Sequence, residues 1–199
     1  MTVEKAVKLR EAGLYNLIVG VYSTSPEVHD SVRGVAGAFD KAIDAIKIAL
    51  NTGLMVTMSC HVLSGQVDRI LDLYKLATEL GVQELSVWEG IPKTAQERLT
   101  QIEREKIIDI YRKINSTAGG PRLFANTYFE GQLLGCMAGR RWMHIGVDGG
   151  VRGCPYLQES LANIRECHLR DAWKALRRSG KFDGLVCTCP AQSLFCSRI

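Results

Sequence analysis

The residues best suited to chemistry are cysteines, and most of them lie in the last third of the chain. The sequence contains seven cysteines, of which six fall in that third: Cys136, Cys154, Cys167, Cys187, Cys189 and Cys196. An odd number of cysteines behind an N-terminus that is amphipathic rather than signal-like argues against a disulfide framework. In a reducing compartment, thiols grouped this closely indicate a metal ion or an iron–sulfur cluster.

The spacing of these cysteines suggests a shared site. Cys136 and Cys154 stand at the two ends of a predicted hairpin, which would bring them together, while Cys187, Cys189 and Cys196 follow as C-x-C-x6-C. Four thiolates complete a [4Fe–4S] site, and the same four ligands also bind zinc. The spacing alone leaves both alternatives open, together with small buried thiols that bind no metal.

Other residues that could do chemistry receive simpler interpretations. Cys60 lies in an apolar run and is predicted to belong to the core, and Cys167 is predicted to pack rather than ligate. The four histidines have no second histidine or carboxylate at a spacing that suggests a metal site or a nucleophile–base pair: His29, His61, His144 and His168.

Alternating strand and helix patterns must position these residues. Strands are predicted at 17–22, 54–62, 84–88 and 123–125, and helices at 38–51, 67–80 and 94–115. The continuous apolar run at 17–22 predicts a strand covered on both faces. Short connections ending in glycine indicate parallel βα repeats, either an open doubly wound sheet or part of a barrel. No Gly-rich phosphate-binding loop follows any of these strands.

The composition changes after about Asn126, where glycine, cysteine and arginine become frequent. Strand-like segments at 141–147 and 151–154 flank Asp148-Gly149-Gly150, a sequence suited to a tight turn. A short amphipathic helix is predicted at 169–176.

Charge and hydropathy exclude two classes of partner. A net charge of +4 without a long basic run is too small to indicate nucleic-acid binding. No apolar stretch reaches the roughly 18 residues that span a bilayer. We therefore expect a cytoplasmic protein without nucleic-acid or membrane partners.

Two regions resemble the radical S-adenosylmethionine (SAM) family. The first region has the same order of elements as the middle of the family's barrel: Ser23, His29-Asp30, Arg33-Gly34 and Gly37-Ala38-Phe39. In the second, residues 135–176 resemble the C-terminal extension called SPASM, or its shorter relative Twitch. The elements that match are Cys136, Gly139, Asp148-Gly149, Cys154-Pro155, Asn163-Ile164-Arg165-Glu166 and Trp173.

The resemblance implies an α/β fold with two domains. Residues 1–127 would form a partial radical SAM (β/α) barrel of the TIM type, and residues 128–199 a small cysteine-rich α+β SPASM/Twitch-like domain. It also implies an oxidoreductase-like chemistry in which a 5′-deoxyadenosyl radical derived from SAM modifies a peptide or tetrapyrrole-like substrate.

The resemblance further implies the site residues. Ser23 and Arg33 are expected to approach SAM. Cys136, Cys154 and Cys187 are expected to hold an auxiliary [4Fe–4S] cluster, with Cys189 or Cys196 as the fourth ligand.

The motif that defines the radical SAM family is missing from the sequence. The C-x3-C-x2-C loop that binds the SAM-cleaving cluster does not occur in it. We therefore expect a truncated or split product, completed by an N-terminal half or a complementary polypeptide. The alternative is a non-catalytic iron–sulfur or zinc module, or an electron carrier.

Overall fold

The computed structural model describes residues 1–90, 92–135, 137–155 and 157–180. The chain divides into two compact units, of which the first is Met1–Tyr128 and the second begins at Phe129. The boundary expected after residue 127 falls next to this division.

The first unit is built around a parallel four-stranded sheet of order β1-β2-β3-β4. Its strands are β1 (Asn16–Gly20), β2 (Met55–Val62), β3 (Glu84–Glu89) and β4 (Arg122–Ala125). Its helices are α1 (Val3–Glu11), α2 (Pro26–Arg33), α3 (Ala38–Asn51), α4 (Arg69–Leu80), α5 (Gln101–Asn115) and the single turn α6 (Asn126–Tyr128). The predicted parallel βα repeats are confirmed.

The apolar core of this unit lies on one face of the sheet. That face carries Val56, Met58 and Cys60 of β2 with Leu85 and Val87 of β3, all buried in one cluster with residues of α3, α4 and α5. The residues that alternate with them on the other face, among them Thr57, His61, Ser86 and Trp88, do not belong to this cluster. Helices α3, α4 and α5 therefore pack against one face of the sheet, because side chains alternate between its faces.

The prediction that the first strand is covered on both faces is wrong. Ile18 faces away from the core, in register with Thr57, and is 66% exposed. Since β1 pairs only with β2 among the described strands, it forms an edge of the sheet.

The helix predicted over 94–115 is interrupted. Ala95–Glu97 forms a short 3₁₀ turn, Arg98 is extended, and α5 begins only after Thr100. Thr100 and Glu103 form a capping box, in which each side chain accepts the other's backbone N–H. This reciprocal cap sets the start of the helix, which hydrophobic periodicity does not locate.

The second unit contains a small antiparallel sheet of order β5-β6-β7. Its strands are β5 (His144–Ile145), β6 (Gly150–Arg152) and β7 (Ala162–Asn163), and α7 (Leu169–Arg178) follows them. A π-helical turn, Phe129–Leu133, opens the unit. The hairpin predicted around Asp148-Gly149-Gly150 is present, with shorter strands than expected and Gly149 at φ +80° in the turn.

No helix among the described residues is both long enough and apolar enough to cross a bilayer.

Candidate functional site

The carboxyl end of β1 leads directly into the first candidate residue. Val21, Tyr22 and Ser23 follow the strand, and Ser23 is only 7% exposed. The Ser23 hydroxyl accepts a hydrogen bond from the Ser25 amide at 3.1 Å. Ser25 in turn caps α2, since its hydroxyl accepts the Val28 amide at 3.3 Å. The position of Ser23 is thus tied to the start of α2.

A buried histidine on α2 contacts the same strand end. His29 is 1% exposed, and its Nδ1 accepts a hydrogen bond from the Tyr22 amide at 3.2 Å. Burial lowers the pKa of His29 below its ordinary value, with the neighbouring Asp30 opposing that shift. The imidazole is therefore neutral with its proton on Nε2, because only an unprotonated nitrogen accepts a hydrogen bond.

Tyr22 is the centre of an aromatic group that sequence reasoning did not find. Its ring stacks on His29, with centroids 5.6 Å apart, and on His61 of β2, with centroids 5.7 Å apart. Burial lowers the pKa of His61 also. The two histidines looked scattered in the sequence. The pairing of β1 with β2 brings His61 to the Tyr22 ring, and the position of α2 brings His29 to it. Tyr22 is the last residue of an apolar run, and this pattern indicated a core residue.

Asp30 ties α2 to the next helix. Its carboxylate accepts the Gly37 amide at 2.5 Å and the Phe39 amide at 2.8 Å, at the N-terminus of α3. The hydrogen bond from Phe39 is the leading cause that lowers the pKa of Asp30. Gly37 adopts φ +71°, which glycine tolerates without strain. Phe39 also meets His29 edge to face, at 5.6 Å between centroids.

Arg33, the second residue predicted to approach SAM, ends α2. Its guanidinium carbon lies 5.9 Å from the centroid of Tyr22, within the range of a cation–π contact. Ser23 follows Tyr22 directly in the chain. The structure thus brings the neighbourhoods of the two predicted residues together around one tyrosine.

The carboxyl ends of the other strands are also held by polar contacts. Glu89 at the end of β3 pairs with Arg104 of α5 at 3.1 Å, and its amide donates to Asn126 Oδ1 at 2.8 Å. The ring of Trp88 contacts Phe124 of β4, with centroids 5.3 Å apart. This edge of the sheet therefore combines exposed rings with fixed charges.

Cys60 plays no part at this edge. It is fully buried in the core cluster, and burial raises its pKa to about 12. A thiol of this pKa remains protonated at neutral pH and is a poor metal ligand. Its predicted place in the core is confirmed.

In the second unit, the hairpin turn is clamped by the Asn163-Ile164-Arg165 segment. Asn163 Nδ2 donates to the Asp148 carbonyl at 3.1 Å, and the Arg165 guanidinium donates to the Val147 carbonyl at 3.0 Å. Asp148 also pairs with Arg152 across the turn at 2.8 Å. The Asn163-Ile164-Arg165 segment, which resembled part of the SPASM extension in the sequence, thus supplies contacts that hold the turn.

Of the five predicted cluster ligands, Cys154 is the one that the structure describes. It lies two residues beyond β6 and is 7% exposed. The other four lie outside the described residues: Cys136, Cys187, Cys189 and Cys196. Cys167 donates from its Sγ to the Asn163 carbonyl at 3.3 Å. Within the described ranges, no three His, Cys, Asp or Glu residues are grouped to hold a metal ion.

No protein-family model matches the chain. Curated relatives do match it. It is 23% identical over 202 residues to the AdoMet-dependent heme synthase of Oleidesulfovibrio alaskensis, covering 87% of this chain and 52% of that protein. It is 29% identical over 182 residues to the probable GTP 3′,8-cyclase of Saccharolobus islandicus, covering 80% of this chain and 56% of that protein. The chain therefore spans about half the length of the curated relatives it matches.

The fold is also found in solved structures. Streptococcus suis SuiB bound to its precursor peptide SuiA superposes with a TM-score of 0.62 at 16% identity, covering 89% of this chain and 46% of that protein. At this identity the likeness concerns the fold alone. The curated relatives are radical SAM enzymes, so the resemblance of the chain to that family, first indicated by its motifs, is confirmed.

Proposed function

We propose that this chain is the C-terminal portion of a radical SAM enzyme and that it binds an auxiliary [4Fe–4S] cluster. The whole enzyme would modify a peptide or a tetrapyrrole-like substrate. In this proposal residues 1–127 are part of the radical SAM barrel, and residues 128–199 are the SPASM/Twitch-like domain. An N-terminal portion or a complementary polypeptide would supply the C-x3-C-x2-C loop, and its cluster would supply the reductive cleavage of SAM.

The observation that carries the proposal is the parallel sheet with Ser23 and Arg33 beside one strand end. The carboxyl ends of parallel strands form the usual ligand-binding edge of α/β proteins. Ser23 offers a buried hydroxyl there and Arg33 an exposed cation, groups that suit the polar and carboxylate parts of SAM. Relatives named for dependence on AdoMet support this assignment.

Support for the auxiliary cluster comes from the hairpin of the second unit. Its turn is held by Asn163, Arg165 and Arg152, so the backbone approaching Cys154 is firmly placed. Cys154 is buried, as the ligand of a cluster shielded from solvent would be. Its proposed partners are Cys136, Cys187 and either Cys189 or Cys196, and the cluster would hold substrate or relay electrons.

Two similar proteins support the proposed substrate class. One is named a heme synthase, and SuiB was solved with a precursor peptide. We therefore propose a tetrapyrrole-like or peptide substrate for the whole enzyme.

Anaerobic reconstitution with iron and sulfide tests the auxiliary cluster. We expect about four irons per chain and a broad visible absorbance, the content of one [4Fe–4S] cluster. Cys136→Ala and Cys154→Ala should abolish this absorbance because each removes a ligand. Cys167→Ala is the matched control in the same unit and should retain it. Uptake of one zinc and no iron by the wild-type chain would overturn the proposal in favour of a zinc-binding module.

A further inference from the structure

The segment between β1 and α3 is held from its middle by two adjacent residues. His29 accepts from the amide of Tyr22, seven residues earlier, at 3.2 Å. Asp30 accepts from the amides of Gly37 and Phe39, seven and nine residues later, at 2.5 and 2.8 Å. One turn of α2 therefore bonds to both ends of the segment.

The side chain of His29 also touches both ends. Its ring stacks on Tyr22 at 5.6 Å and meets Phe39 edge to face at 5.6 Å. With 1% of its surface exposed, the ring has little freedom to turn away from either partner. A shift at one end of the segment must therefore move a ring that is packed against the other end.

We propose that His29 and Asp30 form a two-ended latch that sets the positions of Ser23 and Arg33. Ser23 lies one residue after the Tyr22 amide that His29 holds, and Arg33 lies one helical turn beyond His29, over the Tyr22 ring. Both latch residues are positioning residues, and their side chains bond to the chain itself. The inference rests on the proposed function only for what Ser23 and Arg33 bind.

The latch predicts that the two ends of the segment are coupled, which two independent hydrogen bonds would not produce. If the ends are coupled, removing the bond at one end must loosen the other end, which lies on a different element. Independent bonds would each protect only their own amides. Coupling across the segment is thus the property to measure.

Amide hydrogen exchange of the full chain, read by NMR for single amides, measures this coupling. In His29→Leu the Tyr22 amide should exchange about tenfold faster, the effect of losing one such hydrogen bond. The Gly37 and Phe39 amides should also accelerate. In Asp30→Ala, Gly37 and Phe39 lose their acceptor, and the amide of Tyr22 should accelerate with them.

A matched variant separates the acceptor from the packing. In His29→Asn, Oδ1 takes the place of the imidazole Nδ1, so the exchange of Tyr22 should return toward the wild-type rate. The amides of Met58 and Leu85, central in the sheet, report global stability and should stay unchanged. If His29→Leu also accelerates exchange at Met58 and Leu85, the milder variant Asp30→Asn replaces it as the test. This variant removes one of the two acceptors of a half-buried carboxylate, and it must still accelerate exchange of the Tyr22 amide.

Two results would overturn the latch. The first is acceleration confined to the amides whose own acceptor was removed. The second is equal exchange in His29→Asn and His29→Leu. Neither SAM nor a cluster enters this measurement. A latch found in a chain whose completed enzyme binds no SAM would refute the proposed function and leave the latch standing.

Discussion

Two carboxylates near the carboxyl edge of the first sheet each accept hydrogen bonds from two backbone amides. Asp30 receives two amides at the start of α3. Glu103 receives the amides of Gly65 and Thr100 at 2.6 and 2.8 Å, and the hydroxyls of Ser64 and Thr100 as well. In both cases a negative charge organises a loop at this edge, because ionised acceptors form the stronger hydrogen bonds.

The charge of Glu103 should make stability depend on pH. Burial disfavours its ionised form, but the hydrogen bonds from Gly65, Thr100 and Ser64 outweigh burial and lower the pKa from 4.5 to about 2. Because the pKa is lower in the folded state, the stabilisation is present above pH 4.5 and is lost as the pH falls toward 2.

The variant Glu103→Gln tests this. At pH 7 it should lower the free energy of unfolding by about 1 kcal/mol, since an amide oxygen replaces an ionised acceptor. Thermal unfolding from pH 7 to pH 2 should show the difference from wild type shrinking below pH 4.5. Glu79→Gln, an exposed change on α4, should show no such difference at any pH. A pH-independent difference for Glu103→Gln would contradict the charge argument.

At the scale of elements, the hairpin of the second unit depends on a partner distant in sequence. Its strands pair at only two positions, His144 with Arg152 and Ile145 with Val151. So short a hairpin is marginal by itself. The pairing of β6 with β7, the Asp148–Arg152 ion pair and the contacts from Asn163 and Arg165 to the turn carbonyls stabilise it further.

Asn163→Ala should therefore loosen the hairpin. It removes the bond to the Asp148 carbonyl and the side-chain acceptor of the Arg165 amide at 2.9 Å. The amide of Gly146, which bonds to the Gly150 carbonyl, should exchange about tenfold faster, as expected for the loss of about one hydrogen bond of stabilisation. Glu166→Ala, an exposed neighbour, should leave this amide unchanged. Unchanged exchange in Asn163→Ala would show that the strand pairs suffice.

At the scale of the whole molecule, the face of the first sheet opposite its apolar core carries exposed side chains among the described residues. That face presents Ile18, His61 and Trp88, each at least partly exposed. The chain spans about half of its curated relatives, and the proposed function assigns the initiating cluster to another portion.

The isolated chain should not cleave SAM. Cleavage of SAM by radical SAM enzymes is expected to need three thiolates on a C-x3-C-x2-C loop, and this sequence does not contain that motif. After anaerobic reconstitution and reduction, 5′-deoxyadenosine should stay at the background of a protein-free reaction. A full-length AdoMet-dependent heme synthase, treated identically, serves as the positive control. Product formation by this chain would show that its own cysteines can support the reaction.

Much of the fold follows from local signals in the sequence. Apolar runs separated by amphipathic stretches and glycine stops predict β2, α3, β3 and β4 nearly at their observed bounds, because periodicity and capping are local properties. The start of α5 needed the capping box of Thr100 and Glu103, a signal present in the sequence and overlooked.

Other features exist only in the folded chain. Whether Ile18 is buried depends on what packs on each side of β1. A run of apolar residues in the sequence does not contain that information. The group of Tyr22, His29 and His61 joins residues up to 39 positions apart through strand pairing and the position of α2. The motif residues predicted the family and the segment of interest. The structure alone assigned His29 and Asp30 to hydrogen bonds, because the partners of a side chain are set by tertiary packing.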